Sequence, residues 1–333
     1  MNPTIVFESA LGRLTYLHRE NLRTQSNSWQ GCAGRVRMLD CRKASLLRTL
    51  RCMPQPDKLL ATIRKAAEYV RTEPGRLGRV VTIVDGLDVL VAGDLHGNVG
   101  NFQLLLKRAE LAKHPHRHFV MQELIHGAFR YADGSDKSHQ AVDLWCALKC
   151  QYPTRVHYLP GNHELSQWTN RAIGKTDMDL NASFLDGVRN AYGRDADSIY
   201  AAYLDLFASL PVAIRTPNRV FLSHSLPNAA AMTSFDVEAL RQWKHAPEDL
   251  APGGLVYGMV WGRDTSAANV AAFMKKVDAD WLVTGHVPCA EGFGTPNEQQ
   301  VIVDCLGSPA AYMLLPANVS LTTSGLRSCV QMI

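Results

Sequence analysis

The chain has 333 residues, of which 46% are apolar, 20% charged and 8% aromatic. That much apolar surface excludes a wholly disordered chain, and the absence of an apolar run near the ~20 residues that span a bilayer excludes a helical membrane protein. The net charge of +4, from 35 basic and 31 acidic residues, is too small to argue for a nucleic-acid partner.

The start, MNPTIVFESALGRL, has no basic segment followed by an apolar one, so no secretory signal is predicted. The eight cysteines include no C-x-x-C pair. A zinc knuckle therefore has no support, and reduced thiols in a cytoplasmic protein are expected.

Residues 1–53 are rich in Arg and show no clean period. They are expected to form a poorly ordered or partly helical extension, with a short helix near Arg42–Arg51 or a partner-binding arm as alternatives. A single domain is expected over residues 54–333. It opens with a helix capped by Asp57, whose apolar positions Leu59, Leu60, Ile63, Ala66, Ala67 and Val70 follow the helical period up to Pro74 and Gly75. Two strands follow, Val80–Val84 and Val89–Ala92, which Asp85-Gly86 predicts to be a hairpin. Next come a helix over Asn101–Leu111, a strand at His118–Met121, a helix over Ser138–Lys149 and a strand at Arg155–Leu159. Residues Ser166–Leu210 read as mostly helical, with Leu204 and Phe207 in the core. Strands are predicted at Val212–Ile214, Val220–Ser223, Trp281–Thr284, Gln300–Asp304 and Ala311–Leu315, with a helix over Ala267–Lys276. Alternating strands and helices predict an α/β layered core.

Chemistry concentrates where predicted strands end. Gly93-Asp94-Leu95-His96-Gly97-Asn98 follows one strand and precedes a helix, placing Asp94 and His96 in the crevice where layered α/β folds bind ligands. An Asp oxygen and a His nitrogen two residues apart suit one divalent ion. Pro160-Gly161-Asn162-His163-Glu164-Leu165 has the same setting: Asn162 offers a neutral oxygen, His163 an acid, and Glu164 a carboxylate to orient His163. His224 and His286 end two further strands. Each histidine alone is compatible with a satisfied polar turn; four strand-end sites together point to a metal.

G-D-L-H-G-N, then P-G-N-H-E, then a strand-terminal His, then G-H-x-P, in this order, resembles the calcineurin-like metallophosphoesterases. The likeness runs from about Leu59 to Leu315 and is nearest to their phosphoprotein phosphatase branch. It implies an α/β (α+β) four-layer sandwich, two mixed β-sheets flanked by helices, with a two-metal centre between them. Carried over by residue, Asp94 and His96 hold the first metal, and Asn162, His224 and His286 the second. His163 is the catalytic acid, and a metal-activated hydroxide attacks phosphorus. Mixed nitrogen and oxygen ligands favour two ions of Mn, Fe or Zn over Mg or Ca.

The family's middle motif, G-D-x-x-D-R-G, is altered. Its first Asp bridges the metals and its Arg grips phosphate; aligned without gaps, Gln122 falls at the bridging Asp, Ile125 at the second Asp and His126 at the Arg. A neutral Gln cannot bridge, so Glu123, brought in by a one-residue slip or bulge, is expected as the bridging or supporting ligand. His126 is expected to contact phosphate in place of the Arg, more weakly than a guanidinium. Arg263, in Val-Trp-Gly-Arg-Asp, is the main candidate to grip phosphate, with Arg130 and Lys137 weaker ones. The expected function is a metal-dependent phosphoesterase acting on phosphoproteins or small phosphomonoesters, with no nucleic-acid or membrane partner. Two alternatives stay open: a non-catalytic metal or phosphoprotein-binding module on the same fold, and a diadenosine tetraphosphatase-like nucleotide hydrolase.

Overall fold

The computed structural model describes residues 55–175 and 178–333; the extension expected over 1–53 lies outside the described residues. The first helix, α1, is Pro56–Arg71, and it buries Ile63, Ala66, Ala67 and Val70 as their spacing dictates. Asp57 sits within its first turn, where a carboxylate complements the exposed N–H groups.

In chain order there follow β1 (Arg76–Leu77), β2 (Val80–Thr82), β3 (Asp88–Asp94), α2 (Val99–Ala109), β4 (Arg117–Gln122), α3 (His139–Gln151), β5 (Val156–Leu159) and α4 (Asn162–Thr169). A two-stranded ribbon, β6 (Gly174–Lys175) and β7 (Met178–Asp179), leads into α5 (Leu180–Tyr192) and α6 (Ala196–Ser209). Then come β8 (Ala213–Arg215), β9 (Val220–Ser223), α7 (Ala229–Met232), α8 (Val237–Leu240), α9 (Leu255–Trp261), α10 (Ala267–Val277) and β10 (Trp281–Thr284). The chain closes with β11 (Phe293–Gly294), β12 (Gln300–Val303), β13 (Ala311–Pro316), α11 (Thr323–Ser328) and β14 (Val330–Met332).

These strands build two mixed sheets, one of seven strands in the order β1-β2-β8-β9-β10-β12-β11 and one of five in the order β14-β13-β3-β4-β5. The layer between them is filled from both sides: Val89, Val91, Val120 and Leu159 from the smaller sheet meet Val81, Ile214, Leu222, Val283 and Val301 from the larger. Helices α9 and α10 cover the outer face of the larger sheet through Val256, Met259, Val270 and Phe273. Helix α3 lies along β5, with Trp145 Nε1 donating to His157 O at 3.3 Å. Covered on both faces, β3 to β5 carry continuous apolar runs rather than an alternation.

Two sequence expectations change. Asp85-Gly86 does not close a hairpin, because β2 pairs with β8 in one sheet and β3 with β4 and β13 in the other. The segment crosses between sheets instead, with Ile83 N donating to Arg215 O and Leu87 N to His116 O. In α6 the core contacts are Tyr203, Leu206 and Phe207, while Leu204 is half-buried. The sheets also meet at their edges: Asp94 forms an isolated parallel bridge with Asp304, and Cys305 N donates to Asp94 O at 3.2 Å.

A buried ionic cluster ties α3 to the end of the sheet opposite the carboxyl ends of β4 and β5. Lys149 Nζ donates to Glu73 and, at 2.9 Å, to Val156 O, while His157 Nδ1 lies 2.9 Å from Glu73 Oε1. Burial opposes ionisation of Glu73, but His157 and Lys149 hold its carboxyl down at about 2. A carboxyl depressed in the fold adds stability that is present above pH ~4.5 and is lost as pH falls toward 2. Replacing Glu73 by Gln is therefore expected to cost ~3–5 kcal/mol near neutral pH, because Lys149 is left buried without its counter-charge. It should also flatten the acid limb of stability, measured by urea unfolding between pH 7 and pH 3. An unchanged acid limb would show that the cluster does not govern acid stability.

Candidate metal centre

Five loops converge at strand ends. β3 delivers Asp94 and His96, β4 delivers Gln122 and Glu123, and β5 leads directly into α4, whose first turn holds Asn162 and His163. β9 ends at His224 and β10 at His286. β3, β4 and β5 run parallel in one sheet, and β9 and β10 in the other. Their carboxyl ends converge on one place, and layered α/β folds bind ligands at such strand ends.

Three of these residues, and His126 in the same β4 loop as Glu123, adopt the left-handed backbone that side chains disfavour: His96 (φ 42°), Glu123 (37°), His286 (65°) and His126 (63°). Each such residue costs ~1–3 kcal/mol and persists only where surrounding bonds hold it. Here the bonds are explicit. Leu95 N and His96 N both donate to Glu123 O at 3.0 Å, and Gly97 N donates to Leu124 O at 2.7 Å. From below, the Glu164 carboxylate accepts Leu124 N (2.9 Å), Ile125 N (3.1 Å), Gly161 N (2.7 Å) and Tyr158 Oη (2.6 Å). Glu164 is thus spent on bracing the β4 loop, a correction to its expected part in orienting His163.

Glu123 stands at the middle of these side chains. Its Oε2 lies 3.1 Å from His96 Nε2, and its Oε1 accepts His163 N at 3.1 Å and lies 3.6 Å from His224 Nε2. His96 is oriented by its other nitrogen, Nδ1, which donates to Ile125 O at 2.9 Å. Asp94 Oδ2 accepts His286 N at 2.9 Å, and its Oδ1 is 3.4 Å from His224 Nδ1 without hydrogen-bond geometry. His224 Nε2 and His286 Nδ1 are 3.1 Å apart. Glu123 needs close packing to reach this point: a Cβ on Gly161 would strike its carboxylate.

Two groups of ligand atoms result, His96 with Glu123 and His163, and Asp94 with Glu123 and His224; within each the atoms lie within 4.8 Å of one another. Asp94 Oδ1, Gln122 Oε1, His224 Nδ1 and His286 Nε2 are buried with no hydrogen-bond partner among the described residues. Orphaned buried groups cost ~1–3 kcal/mol each, so their concentration around two carboxylates fits the donor set of a divalent-cation site. Gln122 is held through Nε2, which donates to Ala92 O at 3.1 Å.

The electrostatics match. Burial opposes charge on His96, yet Glu123 beside it drives the imidazole up to about 10. His224 is also raised, by Glu123 and Asp94 against its own burial. Glu123 is held well below the usual carboxylate range by His224, His163 and His96 despite burial. Burial, reinforced by Glu123, pushes Asp94 up. Protons on imidazoles supply the positive charge that cations would supply to the same carboxylates.

One further sequence candidate is relocated. His126 is buried, with Nδ1 2.8 Å from His163 Nδ1 and Nε2 2.8 Å from Gln167 Oε1, so both ring nitrogens are committed and neither is left for phosphate. With Glu123 in the place of the first Asp of G-D-x-x-D-R-G, Gly127 falls at the Arg. A Cβ there would run into His96 O, so no side chain fits. Arg263 lies at the rim, its Nη1 donating to His286 O at 3.2 Å. Arg130 is bonded to Ser183 Oγ at 2.6 Å, and Lys137 lies over the Tyr131 ring. Gln167 and Tyr200, which support His126, were not singled out from sequence; Gln167 stands one helical turn after His163 on α4, and that spacing is the signal.

Residues 87–290 match the family model described as calcineurin-like phosphoesterase. The chain belongs to this family, whose members are metal-dependent phosphoric ester hydrolases. It is 27% identical over 251 residues, 68% of its own length and 50% of the relative's, to a probable serine/threonine-protein phosphatase of Encephalitozoon cuniculi. It is 25% identical over 209 residues, 62% of its length and 44% of the relative's, to a PP2A-like serine/threonine-protein phosphatase of Candida albicans. The chain thus spans half or less of the length of these curated relatives. Among solved structures, it shares its fold with a Saccharomyces cerevisiae protein serine/threonine phosphatase described as similar to human PP5 (TM-score 0.59, 14% identity, 87% of this chain and 95% of that one). It shares it also with a cold-active protein-tyrosine phosphatase of a Shewanella species (TM-score 0.54, 15% identity, 79% and 83%). Among the described residues no helix is long and apolar enough to cross a membrane.

Because His96 titrates near 10 without a cation, it is protonated at pH 7 and must lose that proton to ligate. Titration with Mn²⁺ is expected to release ~1 proton or more per chain, and affinity is expected to rise with pH between 6 and 9. Calorimetry in two buffers of different ionisation enthalpy measures this. Equal apparent enthalpies in both buffers would contradict the assigned ligand.

Proposed function

We propose that this protein is a metal-dependent phosphomonoesterase of the serine/threonine protein phosphatase type, acting on a phosphoprotein or a small phosphomonoester. The observation that carries the reading is Glu123: one carboxylate belongs to both ligand groups, as a bridging ligand must. Its side chain is one methylene longer than Asp, and that reach offsets its displacement by one position from the place of the missing Asp.

On the family pattern, which pairs Asp94 with His96 and gives His163 a catalytic rather than a ligand part, Asp94, His96 and Glu123 would hold one divalent ion, and Glu123, Asn162, His224 and His286 the other; the geometric groups instead set Asp94 nearer His224 and His163 nearer His96. Mn, Fe or Zn suits such nitrogen and oxygen donors. Bound there, the ions would supply Lewis acidity toward phosphate and lower the pKa of a bound water. The chain's own residues supply the rest. His163, anchored through its backbone N–H to Glu123 Oε1, gives a proton to the leaving oxygen. Arg263, tied to His286 O, offsets the phosphate charge in place of the guanidinium that Gly127 cannot carry. A cytoplasmic location is consistent with the five described cysteines, all free thiols.

The test is hydrolysis of a phosphoserine peptide with Mn²⁺, together with metal content, for wild type, Glu123→Ala and His163→Ala. Wild type is expected to hold two metals and to turn over. Glu123→Ala should lose metal and activity together, and His163→Ala should keep metal while losing ~10²–10⁴-fold in kcat. A wild type with one metal or none, and no more activity than His163→Ala, would overturn the proposal in favour of a binding module.

A further inference from the structure

His163 is bonded to a chain of side chains whose proton positions follow from their partners. Gln167 Nε2 lies 3.4 Å from Asn181 O and 2.6 Å from Tyr200 Oη. A carbonyl oxygen only accepts, so this atom is the amide NH₂, and Gln167 Oε1 is the acceptor facing His126 Nε2 at 2.8 Å. His126 therefore carries its proton on Nε2 and presents a lone pair at Nδ1. The 2.8 Å contact between the two Nδ1 atoms then requires the proton on His163 Nδ1. Burial, and next the adjacent His163, push His126 down to about 3, in keeping with a neutral ring.

The geometry is fixed on every side. His126 N donates to Ser138 Oγ at 3.0 Å. The His126 ring stands edge-on to His163 (centroids 5.0 Å, 81°) and to Phe184 (5.9 Å, 68°). The backbone is left-handed at φ 63°. Counted from Glu123, His126 is three positions on, where the middle motif has its second Asp. A neutral imidazole thus stands where the motif has a carboxylate.

We propose that His126 is the positioning residue of this site: held by Gln167, it accepts the Nδ1 proton of His163, so that imidazolium His163 gives up its Nε2 proton to the leaving oxygen and is left as the Nδ1–H tautomer. This rests on the phosphoesterase reading above. Fixing the tautomer matters most for a poor leaving group. An alkoxide needs its proton as the P–O bond breaks, whereas p-nitrophenolate leaves unaided.

The experiment compares kcat and KM for a phosphoserine peptide and for p-nitrophenyl phosphate in Mn²⁺-loaded wild type, His126→Ala and His126→Asn, with metal content measured throughout. His126→Ala is expected to keep its metals and to lose ~10²-fold or more in kcat on the peptide, but less than ~10-fold on the aryl ester, with KM little changed. His126→Asn is expected to recover most of the loss. Its Oδ1 stands near the place of the imidazole Nδ1, and Asn tolerates the left-handed backbone. Nitrogen-15 spectra of zinc-loaded wild type should show His126 as the Nε2–H form and His163 protonated at Nδ1, with its Nε2 taking up the donated proton as pH falls. Equal losses on both substrates, no recovery with Asn, or the opposite tautomers would overturn the proposal. A wild type inactive on both substrates would instead sink the phosphoesterase reading, while the spectra still decide the hydrogen bond.

Discussion

Two carboxylates buried within reach of each other at the meeting of two sheets are the constraint on which the rest of this structure depends. Asp94 and Glu123 are both buried, and each raises the cost of ionising the other. No such arrangement is stable without compensating positive charge. Every neighbouring loop brings an imidazole to that point: His96 from the same loop as Asp94, His163 from α4, and His224 and His286 from the second sheet. The cost of assembly is spread further, into four left-handed residues and several orphaned polar atoms. A centre that is electrostatically incomplete by itself is one prepared for cations.

What holds the centre in place lies beneath it. Glu164 gathers three backbone N–H groups and the Tyr158 hydroxyl, joining the β4 loop to the start of α4. It is buried and lifted above the usual carboxylate range by that burial and by Glu123. The Asp94–Asp304 bridge closes the same edge from the other sheet. This edge is therefore the place where the two sheets are stitched, and the apolar layer between them supplies the stiffness behind it.

Much of this was legible in the sequence. Helical spacing located α1 and the helices at 99–109, 139–151 and 267–277, and apolar runs located β3, β4, β5, β9 and β10. Strand-end histidines are visible because the side chain stands out against the apolar run before it. The failures have a common physical source, which is long-range pairing. Asp85-Gly86 has hairpin chemistry locally, yet its flanking strands belong to different sheets. His126 looked like a phosphate ligand by linear alignment. A one-residue offset in the loop sends it instead against His163 and Gln167. Glu164 looked like a partner of its neighbour in sequence, but its bonds reach forty residues back to Leu124.

Gly161 has a consequence for how this site can change over evolutionary time. Its bare Cα is the space into which the Glu123 carboxylate fits. A side chain at 161 is compatible only with a shorter acid at 123 or with a β4 loop in another register. Substitutions at the two positions are thus epistatic: neither is free to drift while the other is held. The acid at 123 thus depends on the glycine of G-N-H-E, a position the family motif already keeps bare.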